Sequence, residues 1–476
     1  MSTYLHWIFY SAYILTVVAT VITVIMENRQ PTKTMAWVLV LAFVPVVGIV
    51  FYFFFGQNTR KMRFISQRSL DQLSRRSMLE FVAQRGLHFP ERHERLIRMF
   101  ASQGQALPFK DTEAEILDNG HDYILSLLHA IGRAKHHIHF DVYIFDCDAL
   151  GMLLADALID KARQGVEVRL IYDDVGCWRV PDKFFQRMRQ GGVDVRPFMP
   201  VRFPAFTSKV NYRNHRKLCV IDGCVAFIGG MNIALRYVKG QGEQLWRDTH
   251  LRVRGGAVYG VQCAFLVDWY FVARTLISDR RYYPLLPDTV LQNDCLAQVV
   301  TSSPIAPWPE IMQGYVRIIT EARSYVYIET PYFLPTEPVI EALRSAALAG
   351  VDVRIIIPER SDSRWLAWAA TSYVVQMAKV GVKFYLYKAG FNHSKLLVCD
   401  DSLCTCGSTN VDFRSFDYNF EANIFFYDEQ MAQRMKSLFL DDLTFSLPLA
   451  DLNTMPRPPF LRKLWVSLVR LLSPLL

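Results

Sequence analysis

The stretches NHRKLCVID (214–222) and NHSKLLVCD (392–400) carry one spacing twice: a His, a Lys two residues later and an Asp five beyond that, with an Asn before each His. Each is followed by a return segment rich in small residues, VAFIGGMN in the first and LCTCGSTN in the second. Side chains alternate along an extended strand, so His215 shares a face with Lys217 and His393 with Lys395. Two neutral imidazoles, two ammonium groups and two amide donors, without a carboxylate cluster, suit a phosphodiester. The lysines would neutralise the non-bridging oxygens, where charge sits in the transition state. One His can attack phosphorus while the other protonates the leaving alcohol, and the roles reverse for the incoming alcohol. Gly230 and Ser408 are small enough to let a phosphate approach the backbone, and the amides of Asn232 and Asn410 can donate to its oxygens. An imidazole used in this way needs an acid to orient it. Asp248 in WRDTH and Glu421 in NFEAN, 33 and 28 residues after the motif histidines, are the candidates. Asp222 has the opposite parity and stands directly before Gly223, as in an Asp-Gly turn, which assigns it to the strand end. No Asp/Glu set at magnesium-ligand spacing accompanies the motif, and Cys404 and Cys406 form a C-x-C with no second pair, so neither a metal nor another cofactor is expected.

The elements that must position these residues also recur. AKHHIHFDVYIF (134–145) aligns with ARSYVYIETPYF (322–333), and QGVEVRLIYDD (164–174) with AGVDVRIIIPE (349–359). In each pair a helix stops and an apolar, β-branched strand follows. With the motif itself, three matches run in the same order at offsets of 188, 185 and 178 residues. That order predicts two copies of one α/β unit, each a sheet covered by helices. We place the first at 113–290 and the second at 291–450.

The 476 residues, 51% of them hydrophobic, provide for more than one sizeable core and exclude large-scale disorder. A net charge of +8 favours an anionic partner such as nucleic acid, a phosphorylated metabolite or an acidic lipid surface. The nine cysteines sit mostly in apolar runs, as reduced core thiols do. The amino terminus selects lipid. Residues 4–26 and 35–55 are two uncharged apolar runs, each long enough to span a bilayer, and together they predict a transmembrane hairpin over 1–57. Basic residues follow the second run (NTRKMRF, then Arg68, Arg75 and Arg76), whereas the connection between the runs holds only Arg29 and Lys33 against Glu27. The positive-inside rule then puts both termini in the cytoplasm. Residues 58–112 read as a basic, helix-prone connector near the membrane. In the tail, 451–476, Leu461, Leu464, Trp465, Leu468, Leu471 and Leu472 form one apolar helical face with Arg462, Lys463 and Arg470 beside it. This is the pattern of an interfacial helix on anionic lipid, and the same stripe could instead pack on the protein.

With both motifs intact, residues 113–445 resemble the phospholipase D superfamily. The resemblance implies two α/β halves about a pseudo-two-fold axis and a catalytic set of His215, Lys217, Asp222, His393, Lys395 and Asp400, with His215 as nucleophile and His393 as acid. The hairpin with RQPTKTMAW, the apolar run ending FFFG and the carboxy-terminal helix are similar to those of bacterial cardiolipin synthases. The motif D-G-x-x-A-R of the nucleotide-dependent class is absent from the sequence. That resemblance implies a phosphatidyl transfer between two phosphatidylglycerols, giving cardiolipin and glycerol through a phosphohistidine. It also implies anionic phospholipids rather than nucleic acid as partners, and a multi-pass protein of the bacterial inner membrane with its catalytic halves on the cytoplasmic side. A membrane-bound hydrolase, or a synthase drawing on phosphatidylethanolamine, is the alternative on the same fold.

Overall fold

The computed structural model describes residues 2–26, 31–52, 56, 89–104, 106–201, 211–242, 244–284, 295–449, 459–471 and 473. The charged residues cited for topology between 58 and 76, Glu27 and Arg29 lie outside them, as do most of the connector and Leu472.

The first half contributes β1 (Pro108–Leu117), β2 (His137–Val142), β3 (Glu167–Asp173), β4 (Asp194–Phe198), β5 (Arg213–Asn214), β6 (Lys217–Ile221), β7 (Val225–Gly229), β8 (Leu245–Arg247) and β9 (His250–Gly255). The second contributes β10 (Cys295–Ser302), β11 (Tyr325–Glu329), β12 (Phe333–Leu334), β13 (Asp352–Pro358), β14 (Lys383–Tyr387), β15 (Gly390–Asn392), β16 (Leu396–Cys399), β17 (Leu403–Gly407), β18 (Val411–Asp412), β19 (Asn419–Phe426) and β20 (Ser446–Pro448). The main sheet runs β4-β3-β2-β6-β7-β9-β1-β10-β19-β17-β16-β11-β13-β14-β20. Read inward from β4 or from β14, the order is the same, and the antiparallel pair β1–β10 joins the copies. The fold is therefore α/β, with two repeated halves.

Each repeated segment forms the element its pattern predicts. Helices Ala149–Arg163 and Glu337–Leu348 stop just before Gly165 and Gly350, both at φ 89°, where a left-handed residue ends the helix and turns the chain into β3 and β13. Those strands are buried and pair in parallel with β2 and β11. Each half has its own core under its helices. A further core is shared: Leu218, Val220 and Ile228 of the first half pack with Leu396, Val398 and Ile424 of the second. The nine cysteines are free thiols.

Three features differ from the sequence expectation. Leu96, Ile97 and Phe100, inside the stretch read as a connector, belong to the core of the second half, where Phe100 lies 4.7 Å from Phe425. The second apolar run is two helices, Pro31–Phe43 and Pro45–Phe51, broken at Val44 because Pro45 has no N–H to continue the ladder. In the amino-terminal unit, only His6–Met26 is a helix long and apolar enough to cross a membrane among the described residues. Finally, neither His-x-Lys lies in a continuous strand. β5 ends at Asn214 and β6 begins at Lys217; β15 ends at Asn392 and β16 begins at Leu396. At each break the chain changes partners. β5 pairs in parallel with β19 of the other half and β6 with β2 of its own; β15 pairs with β8 of the other half and β16 with β11 of its own.

The motif aspartates lie at the far end of β6 and β16, about 16 Å from the lysines at a strand's rise per residue. Asp222, at φ 54°, accepts the N–H groups of Lys135, His136 and His137 at 2.8, 2.8 and 2.9 Å. Asp400, at φ 49°, accepts those of Arg323, Ser324 and Tyr325, each at 2.8 Å, and pairs with Arg92. The resemblance groups these two with the catalytic residues; both carboxylates are occupied in pinning the start of β2 or β11, and we propose that this is their role. Asp222→Ala should lower unfolding stability by about 2–3 kcal/mol, because backbone donors lose their acceptor. Chemical denaturation checks this. Turnover per folded molecule should stay within about twofold, and a far larger loss without destabilisation would return Asp222 to the site.

Candidate active site

The exchange of strand partners carries each motif histidine into the other half. His215 donates its N–H to the Phe420 carbonyl at 2.9 Å, and His393 donates its N–H to the Arg247 carbonyl at 2.6 Å. Phe420 and Arg247 immediately precede the two candidate acids. Consequently His215 Nδ1 lies 3.0 Å from Glu421 Oε1, and His393 Nδ1 lies 2.6 Å from Asp248 Oδ2. Each imidazole is thus oriented by the carboxylate of the opposite half. With Nδ1 held, Nε2 is the nitrogen left to react.

The lysines lie beneath the histidines and are almost wholly buried. Lys217 donates to the His215 carbonyl at 2.5 Å and lies 5.3 Å from the Tyr143 ring centroid. Lys395 donates to the His393 carbonyl, approaches His393 Nδ1 at 2.8 Å and lies 3.8 Å from Asp248 Oδ2. Burial lowers the pKa of both lysines, that of Lys217 to about 7. Burial also lowers both histidines, His393 to about 3 with the Lys395 charge adding to the effect. For Asp248 and Glu421 burial acts upward. The lysine and imidazole beside each outweigh it, and both carboxylates stay below their usual range. The site therefore pairs neutral imidazoles with ionised acids. Lys395 bears electrostatically on His215 and Lys217 on His393, so the two motifs form one site.

The small residues mainly support the acids. A Cβ at Gly230 would lie 2.1 Å from Asp248 Oδ1, so glycine is required there by the carboxylate. Ser408 donates to Glu421 Oε2 at 2.5 Å. Asn232 donates to the Tyr237 hydroxyl at 2.8 Å and accepts from the Ile144 N–H at 3.1 Å, while Asn410 donates to Asp412 at 3.1 Å. Each of these bonds uses one of the two protons of its amide group.

A second layer escaped the sequence reading. The Asn before each histidine reaches a buried acid: Asn214 donates to Asp141 at 2.8 Å and Asn392 to Glu329 at 3.2 Å. Behind them, Arg216 pairs with Asp268, and Arg247 with Asp442 at 2.8 Å. Burial and the neighbouring carboxyl, Asp268 or Asp442, push Asp141 and Glu329 well up, so each acid pair retains a proton. The signal was available: Asp141 and Glu329 occupy equivalent places in the aligned segments 134–145 and 322–333. Aromatic rings complete the walls, Tyr143 at 4.9 Å from His215 and Trp246 at 5.4 Å from His393. Among the described residues no group of three or more His, Cys, Asp or Glu could hold a metal ion.

Residues 127–254 and 315–443 match the family model described as cardiolipin synthase, PLD-like domain, and residues 14–57 match that of the phospholipase D-nuclease N-terminal segment. The chain is 38% identical over 458 residues to a cardiolipin synthase of Geobacillus sp. (strain WCH70), covering 95% of this chain and 90% of that one. It is 37% identical over 479 residues to a cardiolipin synthase of Listeria monocytogenes serotype 4b (strain CLIP80459), covering 97% and 98%. Among solved structures, the phosphatidylserine synthase of Haemophilus influenzae Rd KW20 superposes with a TM-score of 0.61 at 14% identity, over 81% of this chain and all of that one, a likeness of fold.

The position of Lys217 near neutrality yields a measurable sign. Its ammonium is present below about pH 7 and lost above it. Affinity for tungstate, a dianion that stands in for the phosphoryl group, should fall by up to about tenfold per pH unit above that value. Calorimetric titration would show it, and Lys217→Met should weaken binding and flatten the profile. A flat profile in the unmodified protein would place the ammonium outside the anion site.

Proposed function

The chain belongs to the cardiolipin synthase family of the phospholipase D superfamily, a phospholipid-modifying transferase family, and from that premise we propose how its residues join two phosphatidylglycerols. His215 Nε2 attacks the phosphorus of one molecule, the bond to its terminal glycerol breaks, and a phosphatidyl group is left on His215. His393 gives its proton to the departing glycerol oxygen, then removes the proton of the glycerol hydroxyl on a second phosphatidylglycerol, which attacks phosphorus and regenerates His215. The products are cardiolipin and glycerol. One phosphodiester replaces another, so no nucleotide energy source enters.

The observation that carries this reading is the exchange of acids between halves, Glu421 on His215 and Asp248 on His393. It gives two imidazoles with separate orienting carboxylates, as nucleophile and acid/base require. Lys217 and Lys395 stabilise the non-bridging oxygens, and the remaining amide protons of Asn232 and Asn410 assist. Burial first, and then the Lys395 and Lys217 charges, lower His393; an entering phosphodiester anion offsets those charges and favours uptake of the proton to be delivered. Phosphatidylglycerol and other anionic phospholipids are the partners. The site is assigned to the cytoplasmic face of the bacterial inner membrane, with the amino-terminal apolar runs as a two-span anchor, in keeping with the basic residues after the second run. Anchoring keeps the site where lipid headgroups outnumber competing water.

Purified protein supplied with phosphatidylglycerol alone should yield cardiolipin and glycerol in equal amounts. Phosphatidic acid as the sole product would establish hydrolysis instead, and a requirement for phosphatidylethanolamine would change the donor. Lys217→Ala or Lys395→Ala should cost at least about 100-fold in turnover. For the covalent step, His393→Ala given a donor with a good leaving group should still load label onto His215 and then release it slowly. Glu421→Gln should slow that loading about 100-fold, whereas Asp248→Asn should leave it within severalfold. Label on His393 would reverse the roles.

A further inference from the structure

Seven tryptophans lie beyond residue 57. Trp269 is buried and Trp246 lines the site beside His393. The other five are exposed: Trp178 at 79%, Trp308 at 52%, Trp365 at 46%, Trp368 at 38% and Trp465 at 43%. Their positions in the topology coincide. Val142, at the carboxy end of β2, is opposite Lys217, and Tyr172 of β3 runs parallel beside it, so the turn carrying Trp178 leaves from the catalytic edge. Glu329, at the carboxy end of β11, is opposite Leu396 and beside Ile356 of β13; the chain leaving β13 opens the helix Arg364–Ala378 that carries Trp365 and Trp368. Ser302, at the carboxy end of β10, is opposite Glu421, and Trp308 follows six residues later.

The fifth indole arrives from the tail. Helix Phe460–Leu471 is held on Arg364–Ala378 through buried Val469 and through Arg470, which donates to Ser372 and Gln376 at 3.3 and 3.1 Å and covers the Tyr373 ring. Trp465 thereby comes within 5.8 Å of both Trp365 and Trp368, while Leu461, Leu464 and Leu468 stay exposed. The tail thus packs on the protein by one edge and leaves most of its apolar face outward. Exposed Arg179, Arg364, Arg462 and Lys463 accompany the indoles. Of the acids beside them, Glu359 is paired with Lys388, while Asp182 and Asp362, the latter accepting from Tyr332, keep their charge against these four basic side chains.

We propose that this tryptophan-bearing edge is a seat for an anionic phospholipid bilayer, separate from the amino-terminal apolar helices, with the indoles at headgroup depth and the catalytic edge turned to the lipid. Indoles prefer that depth, and basic side chains draw the edge to acidic headgroups. The inference rests on the phospholipid-transferase reading and specifies how substrate is presented.

The test uses the full chain in a Cys224→Ser background, reconstituted into vesicles of phosphatidylcholine with and without phosphatidylglycerol. An environment-sensitive fluorophore is attached at Trp365→Cys, at Trp178→Cys in the other half, or at Leu348→Cys. Leu348 is an equally exposed apolar residue that ends its helix before β13 begins, at the opposite edge. Probes at 365 and 178 should brighten severalfold and be quenched by spin-labelled lipid, more strongly with phosphatidylglycerol present, while the probe at 348 stays in water. Probes at 365 and 178 that behave like the one at 348 overturn the proposal. Cardiolipin output is read in the same vesicles. Insertion without cardiolipin leaves this seat standing and removes the synthase reading; cardiolipin without insertion does the reverse.

Discussion

Two hydrogen bonds that cross between halves, His215 to Glu421 and His393 to Asp248, are the constraint on which the rest of the architecture depends. Neither half alone contains both members of either histidine–carboxylate pair. The halves are therefore joined by a shared core and a continuous sheet, and each motif chain runs first along the other half and then along its own. Those short parallel pairings, β5 with β19 and β8 with β15, set the register that brings a backbone carbonyl to each histidine N–H and the next side chain to its ring.

Burial determines the electrostatics of what is thereby assembled. Two lysines, two histidines and two carboxylates removed from water would each favour the neutral form, but their mutual pairing keeps the acids ionised while the imidazoles stay neutral. Beneath them the protein stacks further charge: Arg216 on Asp268 and Arg247 on Asp442, with a protonated acid against each. A buried charge without a partner is costly, so this layer leaves each arginine paired and gives Asn214 and Asn392 fixed acceptors. The asparagines in turn hold the segments from which the histidines project.

The strand ends divide the labour. One edge of the sheet carries the motif histidines and lysines and the exposed indoles; the other carries Asp222 and Asp400, tying hairpin turns to the starts of β2 and β11. The same nine-residue motif thus brings a histidine and a lysine to one end of its strand and a backbone-anchoring aspartate to the other. The fixed distance from lysine to aspartate is the length of the strand between them.

The sequence by itself determined the composition of the site and the repetition of the fold. His-x-Lys twice, the aligned strands and the two later acids are local patterns, legible because strand alternation and helix stops act over a few residues. It also determined that Asp222 closes a strand, since parity and the following glycine are local facts. Tertiary structure decided the pairing. Asp248 and Glu421 each follow a histidine in their own half, and only the exchange of strand partners assigns each to the other one. Spacing cannot reveal that, because it depends on contacts 145 and 206 residues apart. The same holds for Gly230, which makes room for an acid 18 residues later, for Phe100, which left an apparent connector to complete a distant core, and for the grouping of dispersed tryptophans at one edge. Each is set by where long-range packing brings a side chain, and that information is spread over the whole chain.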